Sequence, residues 1–490
     1  MTNLSEVGEA FSARRVRIRN AFALCALLGA VALIPTPSAA ETLRSALAAA
    51  YKFNPRLDAE RARLRATDEE VPRAKSGYRP IVTGSANITY QHQKTNPSAI
   101  TDGDNTSKGY GVSATQPIFN GFRTTNSVKS AEATVRAGRE SLRSVEQQVL
   151  LDAVTAYMDV VRDQAIVRLR ENNVNVLTRE LRANQDRFAV GEVTRTDVAQ
   201  AEARRAGAVS ALDLARANLK TSRAAYERVI GHPPSNLQEP SANDRRLPST
   251  LNEAISVGSK ENPTVVSSLY QEEAARYNVE VIWGELLPTV QLEADYNKTY
   301  DPSRFVNDTE GVAVAGRVIV PFYEGGEVYA RVRQAKHTHV SRLQEIEQAR
   351  TENQELVVAS WSQLLAARAQ LESDQVQVTA NRTALTGVRE EERVGQRTLL
   401  DVLNAEQELL NSEVQLVSTR RNLVVASYAV LASVGRLTAA DIAVTPDVYD
   451  PEVHYHEVRR KWFGVSITRP DGHREYHDFW STQVQAEPKK

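Results

Sequence analysis

The chain has 490 residues, a formal net charge of -1, 41% hydrophobic and 6% aromatic residues, and one cysteine. A near-neutral balance gives no hint of nucleic-acid binding, and a single cysteine excludes a disulfide framework. No apolar run after residue 40 approaches the ~20 residues of a transmembrane helix, so a membrane span there would have to be a closed β-barrel.

Residues 1–40 read as a cleaved signal peptide. Arg14, Arg15, Arg17 and Arg19 precede an apolar run at 21–33, Pro35 ends it, and Ser38-Ala39-Ala40 offers a cleavage site before Glu41. Cys25 lies inside this segment, so the mature chain is expected to carry no disulfide and no lipidated cysteine. Loss of its four Arg and two Glu moves the net charge from -1 to -3.

The remainder states its plan twice. Asn54-Pro55 returns as Asn262-Pro263, Gln116-Pro-Ile-Phe-Asn-Gly121 as Val320-Pro-Phe-Tyr-Glu-Gly325, and Gly191 through Asp197 as Gly395 through Asp401. A repeat this long is a duplicated structural unit rather than a solenoid module. The expected boundaries are a first repeat at 41–240, a second at 241–445 and a tail at 446–490 outside the repeat.

Each repeat opens with a helical pattern, led by Leu43, Ala46, Leu47, Ala50 and Tyr51 in the first, which Pro55 or Pro263 punctuates. After Pro80 and Pro288 the apolar period changes from 3.6 to 2. Val82, Gly84, Ala86, Ile88 and Tyr90 share one strand face opposite Thr83, Ser85, Asn87, Thr89 and Gln91. The pattern predicts hairpins at about 81–91 with 109–117 and about 289–297 with 311–320, joined by polar loops at 92–108 and 298–310. One apolar and one polar face is the transmembrane β signature, shared with half-buried sheets of soluble proteins.

The strands hand over to very long helices. Residues 327–386 contain neither Gly nor Pro, and as a helix they would span about 90 Å. The first repeat offers a counterpart to about 190, interrupted only by Gly138, and the second runs to about 392. Gly191 and Gly395 suit the left-handed residue that ends a helix, and returning helices follow at 194–230 and 398–434. Small, scattered apolar residues such as Val145, Val149, Ala153 and Ala156 permit close helix packing.

At the turns, Thr194-Arg-Thr-Asp197 and Thr398-Leu-Leu-Asp401 match a helix-capping arrangement, threonine at the cap and a carboxylate three residues on. Capping leaves room for a second role, since these turns lie at the far tips of the helices. Asp401 and Asn404 share one face there, and a symmetric assembly would repeat them as a ring that attracts cations. No nucleophile elbow, metal motif or phosphate-binding glycine loop is present, so no enzyme activity and no cofactor are expected. In the tail, His454 and His456 would share a face of a strand, but nothing near them in sequence completes a metal site; Trp462, Phe463 and Trp480 mark a segment that packs on the helices or stays partly disordered.

Four strands cannot close a barrel and would leave unpaired edges in lipid, so several copies must share one. With these features the chain resembles the TolC family of outer-membrane efflux and secretion channels. The resemblance covers about 41–441 and rests on the duplicated Asn-Pro, the Gln116–Gly121 strand exit, and the turns Gly191…Asp197-Val198 and Gly395…Asp401-Val402-Leu403-Asn404.

It implies the outer-membrane efflux protein fold: a duplicated all-α long-helix barrel continuous with a transmembrane β-barrel, four strands per chain and twelve in a homotrimer. It also implies a passive exit duct for small molecules or proteins, as in efflux pumps and type I secretion. The expected partners are outer-membrane lipid, a periplasmic adaptor (membrane fusion) protein and an inner-membrane transporter of RND or ABC type. Carried onto the chain, Asp401 matches a ring aspartate, Arg397 a gating arginine reaching a neighbouring subunit near Thr196, and Asp197 its acceptor. Asn404 departs from a second ring aspartate. Glu392 departs from a tyrosine, and its repulsion from Asp197 implies a rewired latch through Arg397 or Arg393. The other reading of the chain is a structural or adhesive coiled-coil protein of the outer membrane.

Overall fold

A computed structural model describes residues 41–97, 99–100, 102–240, 246–442, 444–468 and 474–475. The expected signal peptide, with Cys25, and His473, His477 and Trp480 of the tail lie outside the described residues.

The first repeat comprises α1 (Leu43–Phe53), α2 (Pro55–Asp68), α3 (Glu70–Lys75), a 3-10 turn, β1 (Ile81–Gln93), β2 (Gly103–Asn120), α4 (Arg123–Ala189) and α5 (Arg195–Ile230). The second comprises α6 (Leu251–Glu261), α7 (Pro263–Trp283), a 3-10 turn, β3 (Thr289–Ser303), β4 (Val306–Ile319), α8 (Glu327–Arg393) and α9 (Leu399–Ser433). A short helix, α10 (Glu452–Val458), follows. The two longest helices, α4 and α8, have 67 residues each, which makes them about 100 Å long.

The repeated Asn-Pro has a physical cause beyond the proline. Pro55 and Pro263 each occupy the first turn of a helix, where a missing N–H leaves no bond unmade. Asn54 and Asn262 cap those helices, accepting from the Arg56 and Thr264 amides at 3.0 and 2.9 Å. Their Nδ2 groups donate to the carbonyls of Val229 at 2.8 Å and Ser433 at 3.0 Å. One buried amide in each repeat thus caps the leading helix and ties it to the end of the returning one. The same level holds the largest apolar cluster, built around Leu57, Leu150, Tyr157, Met158, Tyr226 and Ile230.

All four strands form one antiparallel sheet in the order β1-β2-β3-β4. β2 and β3 pair although two long helices separate them in sequence. The ladder slips once at Pro117, which has no N–H to donate. Register places Val82, Ala114, Ala294 and Val314 in one row, and Gly84, Val112, Tyr296 and Val312 in the next. The other face carries Thr83, Ser113 and Asp295, and Arg317 pairs there with Glu293 at 2.9 Å. Val82, Val312 and Val314 are 65%, 76% and 70% exposed, an apolar face on which none of the described residues packs. Among the described residues, β1 and β4 have no further strand beside them.

Pairing continues beyond the segments with apolar alternation. The expected polar loops at 92–108 and 298–310 are shorter, because β1 and β2 stay in register out to Gln93 and Gly103, and β3 and β4 out to Tyr300 and Asp308, with Ser303 and Val306 pairing beyond a register shift. Backbone pairing does not require one apolar face; Lys298 instead pairs with Glu310 at 3.2 Å on these polar extensions.

His454 and His456, which a strand would place on one face, lie on a helix, α10. Its apolar stripe buries Tyr455 and Val458, Tyr455 packing with Val71 and Val135. His454 Nδ1 lies 2.9 Å from a carboxylate oxygen of the buried Asp68.

Candidate functional site

The two long helical hairpins reverse at matching turns. Gly191 and Gly395 adopt φ of 83° and 76°, a conformation that a Cβ would strain. Thr194 and Thr398 then cap α5 and α9 with reciprocal bonds. The Thr194 amide and hydroxyl donate to Asp197 Oδ2 at 2.9 and 2.7 Å, and the Asp197 amide returns a bond to Thr194 Oγ1 at 3.3 Å. Thr398 and Asp401 repeat this at 3.0, 2.8 and 3.3 Å. The donors favour the ionised forms: Asp197 is held below its ordinary range by the Thr194 hydroxyl and amide, and Asp401 by the Thr398 amide and hydroxyl.

Between the hairpins the two repeats are complementary. Arg187, near the end of α4, donates to Glu392 Oε1 at 3.0 Å. Arg204 of α5 donates to Asn404 Oδ1 of α9 at 2.8 Å. Behind these polar pairs Leu177, Ala208 and Leu403 form a small buried seam joining α4, α5 and α9. Arg389 pairs with Glu406, which is buried with Oε2 unpartnered; burial raises that carboxyl above its ordinary range while Arg389 opposes the shift.

This geometry differs from the rewiring expected through Arg397 or Arg393. Arg393 donates to Glu390 at 3.0 Å and Arg397 to Glu391 at 2.8 Å, both short-range pairs on their own hairpin. Glu392 is neutralised from the other repeat, by Arg187. Thr196 is exposed at the start of α5, and within one chain Arg397 bonds Glu391 rather than Thr196. Asn404 serves as an acceptor for Arg204.

Arg187 and Arg204 escaped the sequence reading, yet the repeat contained a signal for both. At the offset of 204, Arg187 corresponds to Glu391 and Arg204 to Glu408. Charge reversal between otherwise matching positions marks surfaces of the two halves that can attract each other. Chemically the tips offer ion pairs and amides around helix caps, an arrangement that holds helices together and lets them part.

The sequence model of the family described as outer membrane efflux protein matches residues 46–232 and 255–436. The chain is 40% identical over 451 residues to the outer membrane efflux protein BepC of Brucella suis biovar 1, covering 92% of this chain and 97% of that protein. It is 23% identical over 423 residues to the outer membrane protein TolC of Escherichia coli, covering 83% and 84%. Among solved structures, the CmeC outer membrane channel of Campylobacter jejuni superposes with a TM-score of 0.74 at 16% identity, over 85% of this chain and 89% of that one.

Proposed function

The chain belongs to the outer membrane efflux protein family, and from that premise we propose that three copies close one twelve-stranded barrel and one helical tunnel. The protein is an outer-membrane channel; the copy number, the tripartite partnership and the gate are the inference. The open four-stranded sheet carries it. Its apolar outer face suits lipid, and its unpaired β1 and β4 edges cannot remain open there. Pairing β1 of one copy with β4 of the next removes every edge.

In this reading the tunnel is passive, and an inner-membrane transporter of RND or ABC type supplies energy through a periplasmic adaptor that docks on the helical tips. The tips form the gate. Asp401 and Asn404 repeat around the axis, the Thr194 and Thr398 caps stiffen the turns, and Arg187–Glu392 with Arg204–Asn404 hold the two hairpins of each chain together. Arg397 and Thr196 remain the pair expected to meet across a subunit boundary. Opening parts the hairpins after these polar contacts break.

Reconstitution of the purified chain in planar bilayers tests the reading. A duct gives discrete single-channel currents with a cation-dependent block that Asp401→Ala weakens. A structural or adhesive coiled-coil protein gives a heat-stable oligomer with no currents, and that result would discard the channel mechanism.

A further inference from the structure

The segment after the second repeat brings together features that the gate and the barrel leave unused. Its helix α10 is fastened to the wall by the buried Tyr455 and Val458 and by an Arg139–Glu452 pair at 2.7 Å. From there the chain reaches the foot of the barrel, where the Arg79 guanidinium lies over the Trp462 ring at 4.7 Å. Arg79 stands two residues before the first residue of β1. Trp462 and Phe463 are 58% and 84% exposed, with ring centroids 6.2 Å apart.

The same place is crowded with cations. Arg459, Arg460 and Arg79 all act on the Lys75 ammonium, which burial first and these charges second hold below its ordinary range. Lys461 follows directly, its Nζ donating to the Ser466 carbonyl at 2.9 Å. Glu132 pairs with Arg459 at 3.4 Å and Glu457 stands two residues before it on α10, so the five cationic groups outnumber these carboxylates. Exposed aromatic rings beside unbalanced basic groups, level with the end of a membrane-facing sheet, match the chemistry of a bilayer interface. Exposed Phe122, Trp283, Phe322 and Tyr323 mark the same level at the other strand–helix junctions.

We propose that residues 459–467 dock on the periplasmic leaflet of the outer membrane, with Trp462 and Phe463 in the lipid interface and Arg79, Arg460 and Lys461 against anionic phospholipid headgroups. Position at the foot of β1 and the cationic excess favour lipid over a second copy, which would have to bring compensating carboxylates. The contact is a second, non-covalent anchor, placed below the barrel and independent of the tip gate.

The experiment compares the full chain with Trp462→Phe in vesicles of phosphatidylcholine and phosphatidylglycerol, with and without bromine on the acyl chains. Phenylalanine keeps an apolar ring, and an unchanged heat-resistant oligomer verifies assembly. The difference between the two emission spectra isolates Trp462. Expected is a loss of half or more of that difference signal in brominated vesicles and little quenching by aqueous iodide. Quenching by iodide alone would place the ring in water, and protection from both quenchers would place a second copy over it; either overturns the proposal. In a second arm, the triple variant Arg79→Gln, Arg460→Gln, Lys461→Gln is titrated for retained phosphatidylglycerol by native mass spectrometry. Several-fold loss of retained anionic lipid, with phosphatidylcholine unchanged, supports the headgroup assignment; equal retention refutes it. Normal single-channel currents in these variants would separate this anchor from the gate.

Discussion

Glu392→Gln should loosen the closed tip by removing charge from the Arg187 pair while leaving a group of similar size. The side chains of Arg187 and Glu392 are 46% and 21% exposed, so solvent screens the pair and its worth stays near that of a surface ion pair, about 0.5 kcal/mol. Three copies opening together would lose about 1.5 kcal/mol of closing free energy, which is about tenfold in the open-to-closed ratio. Single-channel recording in planar bilayers measures that ratio as time spent in large-conductance states, and uptake of a bulky antibiotic measures it in cells. High salt should mimic the variant, since a screened pair holds less. Arg187→Glu combined with Glu392→Arg should restore wild-type closure if the two act on each other. Unchanged open time in Glu392→Gln, or a reversed pair no better than either single change, would refute an intrachain latch and leave Arg187–Glu392 a solvated surface contact.

Charging the lipid face gives a second expectation. Val312→Arg should cost about 2–4 kcal/mol per copy if that row lies at the bilayer midplane, and the heat-resistant oligomer should fail to appear in outer-membrane fractions, whereas Arg317→Gln on the polar face should assemble. Asn262→Ala removes a helix cap and leaves the Ser433 carbonyl without its donor, so the folded chain should lose about 1–3 kcal/mol, read as a lower melting temperature. The tip caps should also resist acid. Because Asp197 and Asp401 are held below their ordinary range, their stabilisation is fully present above the unfolded carboxyl pKa and is lost as pH falls through the depressed folded value. Cation block and slow amide exchange at Thr398 and Asp401 should therefore survive pH values at which a free aspartate is half protonated, about 3.9; loss of both at that pH would refute the capping account.

Much of the fold was legible because its signals are periodic and local. A change from period 3.6 to period 2 after Pro80 and Pro288 marks where a helix gives way to a membrane strand, and freedom from Gly and Pro over residues 327–386 marks the tunnel helix. Strand ends were illegible in the same way that made strand centres clear: above the apolar band both faces are polar, alternation fades, and only backbone pairing continues, in register to Gln93 and Tyr300. His454 and His456 show the converse error. Over seven residues, the span of α10, two-residue spacing cannot distinguish a strand from a helix, and the deciding contacts, Tyr455 on Val71 and His454 on Asp68, come from almost 400 residues away in sequence.

At the tip, the contacts between the two hairpins of one chain run through Arg187 and Arg204, residues that the resemblance did not carry over. Positions carried over one by one treat each residue against an absent partner from another protein, so Glu392 seemed to face only the repulsion of Asp197. Within this chain both carboxylates are already occupied, Asp197 by its own Thr194 cap and Glu392 by Arg187. The partner for Glu392 comes from the other repeat, and the proposed opening would separate the two hairpins that this contact joins. A duplicated unit begins with like facing like, and like charges cannot hold two hairpins together. Arg187 and Arg204 of the first repeat meet Glu392 and Asn404 of the second, so unlike groups face each other across the seam. A latch of this kind would be carried whole in every copy, so in the proposed trimer its strength would be set before assembly, and Arg397 with Thr196 would set how the copies act together.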